Sequence, residues 1–389
     1  MFKSAKFVFL LICVLCAVER CNSFAFTART TQLRSTRSVV NRNLSNSLVM
    51  KAESPRPFSS SDWFENLKNL PSSRVTKDIF SHLMFNTAWA VAVTAFHMFT
   101  PQHYIDDFHI STVPHSIMAG SLALLLVFRT NASYDRFWEA RKIWGYVTNV
   151  TRNLTRLAKA NFEDEEVLYF FKEYLKAFPF LLKQHLQDVR NDDELEWLKE
   201  KFSNEEFENI QSHPNPPVFV CSRMSEILKT QYSPDTEQIQ TSVFYRIKIE
   251  EGINLLIDYM GMCERILTTP VPRSYSRHTS RFLTMFLFTL PIVLVPHTEF
   301  GTPFVVFLVG WGLLSIEGIA YLIEQPFHPV KNQLPMINYC LEMQRDLEKI
   351  ATESTYENIC EYMPELKKYE REERNNSKEI GYPFTTKRA

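Results

Sequence analysis

Val113, Ile117, Ser121 and Leu125 stand four residues apart in the stretch "STVPHSIMAGSLALLLVFRTNASYDRFWEARKIWG". In a helix that spacing puts them on one face. Read from spacing alone, such a stripe is a lining surface or a helix-packing surface. The start of the stretch has chemistry of its own. Ser111 and Thr112 are N-cap residue types, and Pro114 suits a first helical turn. Free N–H groups and the positive dipole end there favour anions, so Val113, Pro114, His115 and Ser116 mark a candidate backbone anion site. His115, two positions from Val113, points off the stripe and reads as a packing residue. Further along, Arg129 stands where apolar character gives way to polar. Asp135, Arg136, Glu139 and Arg141 alternate in sign after it, a pattern that suits ion pairs between helices.

Other chemistries have little support. The chain carries no H-E-x-x-H, G-x-S-x-G or Walker A pattern. Only 9 Gly are present among 389 residues, too few to suggest phosphate-cradling loops. The formal net charge of −1 gives no basic surface for nucleic acid. Seven Cys occur, three of them within the first 21 residues. Cys221, Cys263, Cys340 and Cys360 are widely separated, so neither a zinc site nor a disulfide framework is expected. They read as small buried apolar residues. An enzyme is therefore not expected, and no cofactor or metal is implied.

The elements that must position these residues are membrane spans. Four apolar runs are expected to span, at about 79–99, 112–128, 282–298 and 302–323. The mean hydropathy of −0.19 requires a large polar portion beside them. Residues 100–111 contain no Lys or Arg but carry Asp106 and Asp107, and 296–301 contains none either. The opposite flanks hold Lys77, Arg129, Arg136, Arg141, Lys142, Arg273, Arg277, Arg281 and Lys331. The bias of basic residues puts both mature termini and 129–281 on one side. That segment reads as helix from its spacing of Val147, Val150, Leu154 and Leu157. Pro179, Pro214, Pro216 and Pro217 are expected to break it or mark turns, and 190–211 reads as one charged amphipathic helix. The expected class is an all-α membrane protein.

The ends differ in composition. Lys3 and Lys6 precede "FVFLLICVLCAV", too short to span. From Arg20 to Ala52 there is no acid, but Arg29, Arg34, Arg37 and Arg42 lie among Ser, Thr and Asn. With "SFAF" at the join, residues 1–50 resemble the bipartite presequence of plastid proteins in algae with secondary plastids. An ordinary secretory signal followed by a disordered stretch is the alternative. Residues 51–367 are expected to form one channel domain, with helical regions at 129–281 and 324–367. Residues 368–389 read as a polar, disordered tail.

"FRTNASYDRFWEARKIWG", "GMCERILTTPVP" and "GIAYLIEQPFH" occur in that order within the four-span frame. Together they resemble the bestrophin family, in its plant, algal and bacterial branch, over roughly 60–389. The resemblance implies a homopentameric anion channel with the second span of each copy around a central pore. It implies a neck at Val113, Ile117 and Ser121, with Ser121 standing where the family has a bulky apolar residue. A hydroxyl ring there is expected to wet more readily than an apolar one. A second, inner aperture is implied near "PPVFVCSR", at Val218 or Val220. Arg129, Asn131, Tyr134, Asp135, Arg136, Trp138, Glu139, Arg141 and Trp144 become family-motif positions with structural roles, several of them between subunits. Animal members follow the PF element with an acidic calcium site; "QPFHPVKNQLPM" has no Asp or Glu, so no such site is expected.

The implied cargo is chloride, with bicarbonate as the competing anion. The implied location is the thylakoid membrane with stromal termini, where chloride flux would balance a light-driven proton motive force. Bicarbonate flux would instead supply inorganic carbon to the lumen. A non-conducting structural membrane protein would share the four spans. It would not need Gly120, Ser121 and Ala123 in a span that runs straight into an amphipathic helix.

Overall fold

The computed structural model describes residues 73–100, 111–162, 164–189, 192–231, 239–328 and 334–352, with a few positions between 64 and 70. The leader, the 101–110 connection and the tail from 353 lie outside the described residues. All regular structure among the described residues is helical. The helices are α1 (Arg74–Phe99), α2 (Thr112–Asn161), α3 (Glu165–Gln187), α4 (Glu196–Lys199), α5 (Asn204–Ser212), α6 (Pro216–Gln231), α7 (Ile239–Thr268), α8 (Arg273–Thr298), α9 (Thr302–Glu324) and α10 (Met336–Thr352).

Among the described residues, three helical stretches are long and apolar enough to cross a membrane: Arg74–Phe99, Thr112–Asn161 and Arg273–Glu324. The third consists of two helices, α8 and α9. The turn Glu299–Gly301 separates them, and Glu299 there has φ 42°, which breaks the helical path. The four apolar runs fall in α1, the first half of α2, α8 and α9. The basic-side ends of α1 and α8 start earlier than the apolar runs, at Arg74 and Arg273.

Two cores form, and α2 belongs to both. Leu122 and Leu126 pack with Ile79, Leu83, Leu287, Val306 and others from α1, α8 and α9. One helical stretch later, Ala140, Ile143, Trp144, Val147 and Leu154 pack with residues of α3, α6, α7 and α10. At 50 residues, α2 is about 75 Å long at 1.5 Å per residue, enough to cross a bilayer and continue well beyond it. Nothing between 112 and 161 is a Gly-Pro or Asn-Gly turn signal, so the chain has no reason to stop. Close approach to α7 is allowed at Gly252, where a Cβ would meet Leu154 Cδ2 at 2.6 Å.

Two expectations fail. Pro179 does not break the chain but lies inside α3, which starts at an Asp164 cap accepting the Glu166 N–H (2.9 Å) and ends at left-handed Asp188. This helix is buried at Leu168 and then without a gap from Phe171 to Gln184, and that packing outweighs the one hydrogen bond proline removes. Residues 190–211 are not one helix. A 3-10 turn at Asp192–Leu195, α4 and α5 share that span. The break follows from Ser203, whose hydroxyl accepts the Glu206 N–H (3.2 Å) and starts a new helix with an S-x-x-E signal. Pro214, Pro216 and Pro217 do sit at a turn and at the first residues of α6.

Candidate functional site

Val113 and Ile117 are 62% and 68% exposed in the chain, and Ser121 is exposed with them. Leu125 continues the line at half burial. Leu124, Phe128, Asn131, Tyr134, Asp135 and Trp138 extend this open side of α2 past the apolar segment. The opposite side carries buried Leu122, Leu126, Arg129 and Ser133. One helix thus has a packed face and a face with no partner among the described residues. The Ser121 hydroxyl leans back on the Ile117 carbonyl at 3.4 Å, a weak contact that leaves it free to turn outward.

The backbone anion site expected at Val113, Pro114, His115 and Ser116 falls on the first turns of α2. Ser111 is the N-cap, and its hydroxyl accepts the Val113 N–H (3.3 Å). Pro114 has no N–H to offer. His115 is a packing residue as expected: its ring stacks on Phe286 with centroids 4.1 Å apart.

Arg129 is 5% exposed and bonds across the spans. Its Nη1 reaches Glu317 Oε1 of α9 at 2.7 Å and Ser280 Oγ of α8 at 3.4 Å. Ser280 also donates to the same carboxylate. This triad ties α2, α8 and α9 together at the level where the two cores meet. Charge–charge attraction in such a dry place is strong, and so is the cost of leaving either partner alone. The sequence pattern did not single out Glu317 or Ser280 as the partners of Arg129. The available signal was that Glu317 is the only charged residue inside the fourth apolar run, and such a residue calls for a partner.

Arg136 forms a different knot. It donates to the carbonyls of Thr269 (2.5 Å) and Ile266 (2.6 Å) at the end of α7 and of Glu324 (3.2 Å) at the end of α9. A guanidinium there satisfies helix-end carbonyls and complements two negative dipole ends. Of the ion pairs between helices expected from Asp135, Arg136, Glu139 and Arg141, one is present among the described residues. Glu139 pairs with Arg265 at 2.6 Å on the surface. Asp135 is exposed and makes no ion pair among the described residues. Arg141 lies over the Tyr339 ring (4.6 Å), beside fully buried Trp144. These contacts fix the continuation of α2 onto α7 and α10. Asn131, Tyr134 and Trp138 are exposed in the single chain.

Val220 is fully buried in the helical core and cannot line an aperture, which corrects that assignment. Val218, two residues earlier on α6, is half-buried and packs against the same core. Periodicity within a short helix did not reveal which side faces inward, because both sides of "PPVFVCSR" are apolar.

Two further features lie close by. A cavity of about 240 Å³ opens between the ends of α3, α7 and α9, lined by Arg136, Asp188, Phe327 and His328 among others. Burial, reinforced by the Arg74 charge, holds the His328 imidazole below its ordinary pKa. Among the described residues no three His, Cys, Asp or Glu side chains gather as a metal site. Residues 329–333, which carry part of the acid-free segment, lie outside the described residues. Cys221 and Cys263 are buried, and burial pushes both thiols up to about 12; Cys340, fully buried, is raised further still for the same reason.

Comparison with known proteins agrees with this geometry. Residues 53–349 match the sequence model of a family described as Bacterial/Fungal Bestrophin protein. The chain is 37% identical over 236 residues to a voltage-dependent anion channel-forming protein of Nostoc sp., covering 59% of this chain and 75% of the relative. It is 30% identical over 273 residues to the chloroplastic voltage-dependent chloride channel 2 of Arabidopsis thaliana, covering 67% of this chain and 63% of that protein. Among solved structures, a bacterial bestrophin homolog from Klebsiella pneumoniae superposes with a TM-score of 0.63 at 26% identity, over 71% of this chain and all of the other. With three-quarters of its length matched and its helical frame shared, the chain belongs to the bestrophin family.

Proposed function

We propose that the protein is an anion channel, conducting chloride through a pore lined by α2 from several copies of the chain. The observation that carries this reading is the open face of α2. Val113, Ile117 and Ser121 are exposed on one side of the helix, while its other side is locked to α8 and α9 by Arg129 and Glu317. Relatives named as anion and chloride channels support the class of cargo. In an assembly of five copies, Val113 and Ile117 form two apolar rings and Ser121 a third, polar ring. The apolar rings resist wetting and so hold conductance low until the neck opens. The Ser121 hydroxyl, only weakly bound to the Ile117 carbonyl, turns to donate to water or to a passing anion.

The setting is proposed to be a plastid thylakoid membrane, with residues 1–50 as presequence, 51–367 as the channel and 368–389 as a polar tail. Both mature termini then face the stroma, with the helical region built on α3, α6, α7 and α10. There, passive chloride flux would balance charge moved by light-driven proton transport. The chloroplastic relative supports the compartment.

Purified protein in planar bilayers tests the reading. Currents carried by chloride are expected, and replacing chloride by bicarbonate on one side reports whether bicarbonate substitutes. Absence of any anion current from protein shown to be inserted would overturn the proposal.

A further inference from the structure

Lys77 of α1 and Arg273, Arg277 and Arg281 of α8 are all exposed. The three arginines recur every four residues, so they form a ladder on one side of α8. No carboxylate among the described residues pairs with any of the four; the neighbouring acid, Asp78, stands 3.9 Å from Arg74 instead. The two helices pack in the same direction. Trp89 Nε1 donates to the Phe288 carbonyl (2.9 Å), and Leu83 and Leu287 meet over Gly310. Counting back from those two contacts at 1.5 Å per residue puts Lys77 level with the turn between Arg277 and Arg281.

What lies next to this cationic band matters. One turn toward the membrane interior from Lys77 come exposed Phe80 and then Met84, at 55% and 43%. One turn beyond Arg281 comes exposed Met285, at 42%. Four positive charges with no carboxylate partner among the described residues therefore stand at the basic ends of two spans, each of which leaves apolar side chains exposed one turn further in. A soluble anion would use only the first half of that surface. A phospholipid with an anionic headgroup uses both, with phosphate against the guanidinium groups of the α8 ladder and acyl chains along Met285, the next step of the same side of the helix.

We infer that the basic ends of α1 and α8 form a binding site for anionic phospholipid headgroups. The charge complementarity is one-sided: like charges without partners repel, and an anion relieves that repulsion. The inference rests on the chain being a membrane protein but not on its conducting anions, so its test reads lipid and not current.

The test uses full-length protein reconstituted with brominated lipids, which quench tryptophan fluorescence by contact. Trp89 in α1 is a near reporter. Brominated phosphatidylglycerol is compared with brominated phosphatidylcholine. A preference of several-fold for phosphatidylglycerol is expected, falling with added salt and unaffected by millimolar inorganic phosphate. R273Q/R277Q/R281Q should bring the preference close to one, whereas R273K/R277K/R281K should retain most of it. A single R277Q variant, expected to lose part of the preference, serves if the triple variant does not fold. An unchanged preference in the Gln variants overturns the site. Loss of self-association in those variants without loss of lipid preference also overturns it, by showing that the ladder contacts a second copy of the chain.

Discussion

Arg129 holds a full positive charge at 5% exposure, and its position depends on Glu317 and Ser280. Removing one partner of such a pair leaves the other charge stranded, at roughly 3–5 kcal/mol. Arg129→Gln and Glu317→Gln are each expected to lower the unfolding midpoint in detergent sharply. The double substitution should cost less than the sum, since no charge is then stranded; strict additivity would show that the two do not act as a pair. Ser121 makes a different kind of prediction. Its hydroxyl is exposed and only loosely held, so Ser121→Phe should leave stability nearly unchanged and reduce single-channel conductance. Equal conductance in the variant would remove Ser121 from the neck. The cysteines give a control on the core. With the Cys221 and Cys263 thiols at about 12, almost no thiolate exists at ordinary pH. Neither should react with maleimide in the folded protein, and both should react once it is denatured.

At the scale of elements, α2 is the organising feature, and its continuity is legible in the amino-acid sequence alone. Lipid demands an apolar run, a helical surface demands 3.6-residue periodicity, and both appear in 112–161 without a turn signal. How that helix is fastened is not legible there. Glu317 lies 188 residues from Arg129, and nothing local announces the pair. Arg136 was expected to find a carboxylate and instead satisfies three carbonyls, because helix ends are invisible until their neighbours are placed. Pro179 misled for a related reason: local propensity argues for a break, but a helix buried along most of its length keeps its course. The crossing of α2 with α7 can be tested at Gly252. A Cβ there meets Leu154 at 2.6 Å, so Gly252→Ala should destabilise by about 1–3 kcal/mol through overpacking. Leu154→Ala in that background should recover part of the loss. The α3–α10 junction has its own signature. Glu348 receives bonds from Lys172 (3.1 Å) and Lys176 on α3. Burial opposes its ionisation, but the bonds from Lys176 and then Lys172 outweigh it and hold the carboxyl below its usual range. A depressed carboxylate contributes stability above its unfolded pKa and loses it as pH falls through the folded one. Helix α10 should therefore loosen only below the ordinary Glu range, and Glu348→Gln should flatten that part of the stability profile.

At the scale of the whole molecule, the open face of α2 is what calls for assembly. Val113, Ile117, Phe128, Tyr134 and Trp138 are each at least half exposed in one chain, more apolar surface than an isolated copy would leave facing water. Closing that face around an axis buries part of it between copies and leaves the rest lining a passage. Native mass spectrometry of protein extracted in mild detergent should show five copies, and a monomer alone would leave the pore without walls. The membrane frame and the family were legible from composition, charge bias and three motifs, whereas the inner aperture was not: Val220 turned into the core. The central claim is that this assembly passes anions. It is met most directly by the reversal potential of single channels in a planar bilayer under a potassium chloride gradient. The account predicts a reversal potential close to the chloride equilibrium potential; a value close to that of potassium would contradict it.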